Sequence, residues 1–172
     1  ETRKKKRAYD IFLFGYNNMG FDLLRSFKRL KKKFLIIEYD PEVIVQLSKK
    51  GYDCLYGDAA DPEVLAELHL GKAKLIISTI ADTHINGVLL KKAREENKKS
   101  GIILLSNSID EALELYKQGA TYVVLPHLAG GTHTSALLAK HGLNVQKFLQ
   151  EKMQHVKVLQ ERRRVHNILQ FK

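Results

Sequence analysis

Six short apolar stretches alternate along this chain with segments of helical pattern, and this alternation constrains the fold more than any other feature. The stretches are Asp10–Phe14, Phe34–Tyr39, Asp53–Tyr56, Leu75–Thr79, Ile102–Ser106 and Tyr122–Leu125. Continuous apolar runs of this length are typical of strands that are buried on both faces. Strands that alternate with helices form parallel sheets through right-handed crossovers. The sequence therefore predicts an α/β fold, with a parallel six-stranded sheet and helices on both faces.

Helix start and stop residues separate the predicted strands. The predicted helices are Asn18–Leu30, Pro41–Lys49, Pro62–His69, Thr83–Asn97 and Glu111–Gln118. Asp40 and Asp61 each precede a proline, which is the pattern of an N-cap followed by proline at the first helical position. Asp110 is the predicted cap of the fifth helix, and Gly119 its stop.

Beyond Pro126 the pattern becomes purely helical. Thr132–Ala139 and Asn144–Phe171 are predicted helices, separated by a break at Gly142. The longer one carries an apolar stripe of Val145, Phe148, Leu149, Met153, Val156 and Leu159. Because five helices already cover the sheet, we expect this stripe to form a dimer contact; packing on its own domain is the alternative. We predict a basic linker at residues 1–8, one domain at 9–142 and a C-terminal helical extension at 143–172.

Composition narrows the class of protein. The chain has 172 residues, of which 44% are hydrophobic and 28% charged, so it is neither disordered nor of low complexity. It has a single cysteine and no apolar run of the roughly 20 residues that a membrane span needs, so we expect a cytoplasmic domain. The net charge of +10 collects in residues 3–7, 28–33 and the tail after Lys152. Such clusters attract phosphates or simply form solvated surface.

A glycine-containing turn follows the first strand and opens the first helix. Its residues are Gly15, Tyr16, Asn17, Asn18, Met19 and Gly20. The spacing is that of the G-x-G-x-x-G dinucleotide fingerprint of Rossmann-like sheets, with Asn17 in place of the second glycine. Since asparagine tolerates positive φ, we expect the turn to be preserved, with free N–H groups of the helix facing a phosphate. The Asn17 side chain is expected either to occupy space where the phosphate would lie or to donate a hydrogen bond to it.

Further candidate ligand residues follow the next three strands. Glu38 ends the second strand, where no local group is expected to be its partner, so we expect this carboxylate to bind ribose hydroxyls and to repel the 2′-phosphate of NADP. The other candidates are Tyr39, Asp40, Asp58, Ala59, Thr79 and Ile80. Asp40 is better explained as a helix cap, whereas Asp58 and the Ala59 backbone are placed to hold the amino edge of adenine. The expected ligand is an adenine nucleotide, either NAD or NADH, or AMP, ADP or ATP.

The chain resembles the RCK (KTN, or TrkA N-terminal) domains over roughly residues 9–142. The matching segments are Phe14–Gly20, Ile36–Val43, Gly57–Leu65, Leu75–Asn86 and Gly119–Leu125, and Val124–Gly131 is similar to the Kef-type cation/proton antiporters. The resemblance implies a Rossmann-like, nucleotide-binding regulatory domain that gates potassium transport. It also implies a homodimer, attached to or associated with a membrane channel or transporter and lying on its cytoplasmic side.

Two other classes of function remain as alternatives. An NAD-dependent oxidoreductase needs a substrate pocket and a proton donor beside the nicotinamide. The six βα units use nearly the whole chain and no Tyr-x-x-x-Lys pair occurs, so we do not expect an enzyme. A redox-responsive nucleic-acid-binding protein needs a reading module, and the Arg162–Arg164 tail lacks one, so no nucleic acid partner is expected. The seven histidines form no H-x-x-x-H pair, and no metal site is expected.

Overall fold

The computed structural model describes residues 8–170. Nearly all of the predicted linker at 1–8, and the predicted helix end at Phe171, lie outside this range. The strands are β1 Ile11–Phe14, β2 Phe34–Glu38, β3 Cys54–Tyr56, β4 Leu75–Ser78, β5 Gly101–Leu105 and β6 Tyr122–Val124. The helices are α1 Asn18–Leu30, α2 Pro41–Lys49, α3 Pro62–Leu68, α4 Thr83–Glu96, α5 Ile109–Lys117, α6 Pro126–His141 and α7 Val145–Gln170, with a 3₁₀ turn at Leu70–Lys72.

The six strands form one parallel sheet in the order β3-β2-β1-β4-β5-β6. Consecutive strands run outward from β1 to β3, and the order then reverses to β4 on the other side of β1. This reversal places a topological switch point between β1 and β4, where open α/β sheets bind ligands. The predicted Rossmann-like parallel sheet is confirmed.

Apolar cores lie on both faces of the sheet. Phe12 and Phe14 of β1 join the larger core, which includes buried side chains of α3, α4 and α5. Ile11 and Leu13 alternate with them and join the second core, formed with α1 and α2. Because every position of β1 is buried on one face or the other, its sequence is continuously apolar.

Short polar side chains cap the N-termini of helices that flank the sheet. The Asp40 carboxylate accepts a hydrogen bond from the Glu42 amide at 2.9 Å, and Asp61 caps α3 in the same way, as predicted. The predicted Asp110 cap of α5 is wrong. Ser108 caps this helix through the Glu111 amide, because α5 begins earlier, at Ile109, and Asp110 lies inside its first turn.

The chain divides into two compact units, with the boundary after Pro126. Helix α6 begins at the boundary, at Pro126, earlier than the predicted Thr132, because Gly130 and Gly131 lie within the helix and do not precede it. The break at Gly142 is confirmed, and its positive φ of 56° lets the chain turn toward α7. Among the described residues, no helix is long and apolar enough to cross a membrane.

The Glu151 carboxylate of α7 joins the two helices of the second unit. Its Oε1 accepts from Lys140 Nζ at 3.0 Å and lies 3.1 Å from His141 Nε2. The His141 ring also packs edge-on against Phe148, with ring centroids 5.2 Å apart. The hydrogen bonds from Lys140 and then His141 lower the pKa of Glu151 from its ordinary value of 4.5.

This lowered pKa predicts a pH dependence of the helical hairpin. A carboxyl group whose pKa is lower in the folded state stabilises the fold above pH 4.5, and this stabilisation disappears as the pH falls through the lowered value. We expect Glu151→Gln to reduce the thermal stability of the α6–α7 hairpin at pH 7, and we expect this loss to become smaller as the pH is lowered below 4.5. Circular dichroism melts at pH 7 and at pH 3 measure the difference. Glu161→Gln, an exposed change on the same helix, serves as the control, and an equal loss in that variant would contradict the assignment.

Candidate functional site

The predicted site residues lie along one edge of the sheet. They follow β1, β2, β3 and β4, which are neighbours in the order β3-β2-β1-β4. Because all the strands are parallel, their carboxyl ends meet at the same edge. The turn after β1 therefore lies between Glu38, the last residue of β2, on one side and Thr79, which follows β4, on the other.

Gly15 allows the ends of β1 and β4 to approach closely. Its φ is +82°, a left-handed conformation that favours glycine. A Cβ atom on Gly15 would lie 2.8 Å from Thr79 Oγ1 and 2.9 Å from Ile80 Cγ1. The Thr79 hydroxyl donates to the Gly15 carbonyl at 2.9 Å, so the two strand ends are also hydrogen-bonded. The first glycine of the motif thus serves the packing of β4 against the turn.

Asn17 has a backbone conformation different from the predicted one. Its φ is −119°, so its tolerance of positive φ is not used. The residue is the N-cap of α1, and its Oδ1 accepts from the Met19 amide at 3.0 Å and the Gly20 amide at 3.2 Å. The sequence predicted that these two amides would be free to bind a phosphate, but both donate to the Asn17 side chain. The remaining helix-start amides belong to Asn17 itself and Asn18.

The Glu38 carboxylate is buried, with 7% of the residue exposed. Its Oε2 accepts from the Tyr16 amide at 2.7 Å, and its Oε1 accepts from the Tyr39 amide at 2.9 Å and the Asp40 amide at 3.0 Å. The sequence had suggested no local partner for this side chain, and this expectation was wrong. An ionised carboxylate accepts about four hydrogen bonds, so Oε2 retains one position.

The residues after β3 form a tight turn beside Glu38. The Gly57 amide donates to the Glu38 carbonyl at 3.0 Å, which joins the ends of β2 and β3. Asp58 is exposed, and its Oδ1 accepts from the Ala60 amide at 2.8 Å. Ala59 is buried in the larger core, with 4% of the residue exposed. Tyr39, in contrast, is 69% exposed.

A family model described as the TrkA-N domain matches residues 11–126. The chain belongs to the TrkA-N domain family. Potassium channel protein 1 of Methanocaldococcus jannaschii is 27% identical over 131 residues, which cover 75% of this chain and 39% of that protein. The putative cation/proton antiporter YbaL of Escherichia coli is 28% identical over 113 residues, which cover 66% of this chain and 20% of that protein. The TrkA-N chain thus spans less than half of either relative.

Solved structures agree with the family assignment. The TrkA-N domain of the inner membrane protein YbaL from Escherichia coli superposes with a TM-score of 0.72 at 26% identity, covering 77% of this chain and 98% of that one. The NAD(P)-binding domain of an exopolyphosphatase-related protein from Archaeoglobus fulgidus superposes with a TM-score of 0.68 at 25% identity, covering 77% and 99%. The resemblance to TrkA N-terminal domains is confirmed.

Asn86 contributes to this edge of the TrkA-N domain, and sequence reasoning did not select it. The side chain is fully buried, and its Nδ2 donates to the Ile80 carbonyl at 2.8 Å and the Leu105 carbonyl at 2.9 Å. Asn86 thereby joins the loop after β4 to the end of β5. The available signal was a polar residue on the same helical face as the buried Leu89, Leu90 and Ala93.

Two observations describe the chemistry available at this edge. Burial raises the pKa of Tyr16 to about 12, so its phenol stays protonated at neutral pH. Within the part of the chain that the structure describes, no cluster of three or more His, Cys, Asp or Glu side chains has a metal-binding arrangement.

The contacts of Gly15 predict a large stability loss on adding a methyl group. Gly15→Ala combines a left-handed backbone with a Cβ closer than 3.0 Å to both Thr79 and Ile80. Gly51→Ala is the matched control, since Gly51 has a φ of +77° and no atom within 4 Å of an added Cβ. We expect the control to lose about 1–2 kcal/mol from backbone strain, and Gly15→Ala to lose roughly 1–3 kcal/mol more from overpacking. Urea unfolding measures both, and equal losses would contradict the close approach.

Proposed function

We propose that this chain is a cytoplasmic regulatory domain that binds an adenine nucleotide and gates the movement of potassium or another monovalent cation across a membrane. Two longer relatives support the transport role, because one is a potassium channel protein and the other a putative cation/proton antiporter. The chain matches only 39% and 20% of their lengths. Its proposed partner is therefore a membrane channel or transporter part, either in the same polypeptide or in a separate subunit.

The position of Glu38 carries the nucleotide assignment. Its carboxylate lies at the carboxyl end of β2, directly beside the turn that opens α1, which is where a Rossmann-like sheet binds the ribose of a nucleotide. Oε2 keeps one acceptor position for a ribose hydroxyl. Similarity to an NAD(P)-binding domain of the same fold is consistent with this use, although the Glu38 charge disfavours a 2′-phosphate.

The adenine base is assigned to the turn after β3. Asp58 uses Oδ1 for the Ala60 amide, which leaves Oδ2 to accept a hydrogen bond from the amino group of adenine. The exposed position of Asp58 makes this oxygen accessible. The residues present thus fit the adenosine part of a nucleotide, with Glu38 on the sugar and Asp58 on the base.

The hydrogen bonds of Glu38 connect a bound ligand to the conformation of two turns. The Glu38 carboxylate bonds to amides of both the β1–α1 turn and the β2–α2 turn. A sugar hydroxyl on Oε2 therefore acts on both turns at once. A ligand biases a gate only when it binds two protein shapes with different affinity, so the proposed regulation requires these turns to differ between the two states.

A regulatory role without catalysis is the better-supported assignment. General acid–base catalysis needs a group whose pKa lies near the working pH. Tyr16, with a pKa of about 12, is a poor proton donor, and Glu38 is held by three amides. Asp40 and Asp61 are used as helix caps. We therefore propose binding of the nucleotide without its chemical conversion.

Exchanging one atom of Asp58 tests the base assignment. In Asp58→Asn, Oδ1 still accepts from the Ala60 amide, but an NH₂ donor replaces the second oxygen. We expect calorimetric titration to show roughly tenfold weaker AMP binding, the effect of losing one charge-assisted hydrogen bond. IMP, whose base carries an acceptor at that position, should gain affinity. Asp61→Asn, which keeps its cap, is the control, and unchanged AMP binding in Asp58→Asn would refute the assignment.

A homodimer is the proposed assembly, formed through α7. Its exposed apolar side chains include Val145, Leu149, Met153, Val156 and Leu159, with between 40% and 68% of each residue exposed. Exposed apolar surface that recurs along one side of a helix is typical of a protein interface. No nucleic acid partner is proposed.

Charges on this stripe are expected to separate the dimer. Leu149→Glu combined with Val156→Glu places two carboxylates in the proposed contact and should give a monomer in sedimentation velocity. Val158→Glu is the control, since Val158 lies roughly 200° around the helix from Val156. A doubly substituted chain that sediments as the unmodified chain does would argue against α7 as the contact.

A further inference from the structure

The start of α1 already holds an acceptor where a phosphate would bind. In dinucleotide-binding turns the second glycine of the motif lets the pyrophosphate approach the helix amides. Here that position is Asn17, and its Oδ1 lies 3.0 Å from the Met19 amide and 3.2 Å from the Gly20 amide. The Asn17 Oδ1 atom therefore already accepts hydrogen bonds from two of the amides that would bind a pyrophosphate.

The other end of the Asn17 side chain crosses the switch point of the sheet. Its Nδ2 donates to the Thr79 carbonyl at 3.0 Å and so joins the turn after β1 to the end of β4. Thr79 and Ile80 also fill the space next to Gly15, as the distances of 2.8 and 2.9 Å to an added Cβ show. Side chains of the protein therefore lie between the end of β1 and the end of β4, where a dinucleotide would have to cross.

The side of this edge that is assigned to adenosine lies at the ends of β2 and β3, and the bridge from Asn17 to Thr79 does not cross it. The acceptor position on Glu38 Oε2 lies at the end of β2, and the second oxygen of Asp58 lies on the loop after β3, away from β4 in the strand order. A mononucleotide needs only this side. A dinucleotide such as NAD must also carry its pyrophosphate past Asn17 and its second nucleoside toward β4.

We propose that Asn17 makes this domain selective for adenine mononucleotides over dinucleotides. The inference rests on the proposed nucleotide-binding function and specifies the ligand class of the same site. Asn17 is exposed, so it meets an incoming ligand directly. The selectivity arises because the second nucleoside of a dinucleotide must pass the Nδ2 bridge to reach β4, whereas a mononucleotide has no group that crosses to β4.

Replacing Asn17 with the glycine of the dinucleotide motif tests this inference. Asn17→Gly removes the cap and the bridge together, and glycine is itself a tolerated N-cap that costs only a few tenths of a kcal/mol. We expect calorimetric titration of the unmodified chain to show at least tenfold tighter binding of AMP than of NAD. In Asn17→Gly, NAD binding should tighten about tenfold, and AMP binding should change by less than threefold.

A matched control separates the ligand effect from the loss of a helix cap. Asn144→Gly removes the asparagine that caps α7 through the Lys147 amide, and it should leave the ratio of AMP to NAD affinity unchanged. Equal or tighter binding of NAD by the unmodified chain, or no gain for NAD in Asn17→Gly, overturns the selectivity but leaves nucleotide binding in place. Binding of neither ligand to either chain overturns the proposed function and this inference together.

Discussion

The buried carboxylate of Glu38 is the interaction on which the site depends. A charged group that is removed from water is costly unless hydrogen bonds replace its solvation. Three backbone amides supply those bonds, one from the turn after β1 and two from the turn after β2. The same carboxylate therefore sets the position of both turns. A movement of either turn must therefore keep these hydrogen bonds or replace them, because the buried charge would otherwise be unpaired.

A second set of bonds holds the other side of the β1 turn. Thr79 donates to the Gly15 carbonyl and accepts from the Asn17 side chain, so β4 is joined to the turn through both its hydroxyl and its backbone. Asn86 continues the connection from the loop after β4 to β5. The carboxyl edge is thus connected through polar contacts from β2 to β5, which suits a domain whose proposed task is to convert ligand binding into a change of shape.

Local sequence signals predicted much of this arrangement correctly. The continuous apolar strands follow from cores on both faces, and the caps at Asp40 and Asp61 depend only on neighbouring amides. The errors occurred where several local solutions were available. Asn17 was expected to use positive φ but caps α1 in an extended conformation, and α5 begins at Ile109 with Ser108, not Asp110, as its cap. Both residue types suit either role, so the sequence did not distinguish them.

The sequence by itself determined the strands, most helix boundaries and the family, because these depend on the periodicity of apolar residues and on contacts between near neighbours in the chain. Only the tertiary structure decided the distant partners of Glu38, Asn17 and Asn86. The Tyr16 amide, the Thr79 carbonyl and the Leu105 carbonyl are 19 to 62 residues away in the sequence, and they come within 3.0 Å only after the strands assemble. A hydrogen bond requires a distance and an angle, and a sequence pattern specifies neither across such a separation.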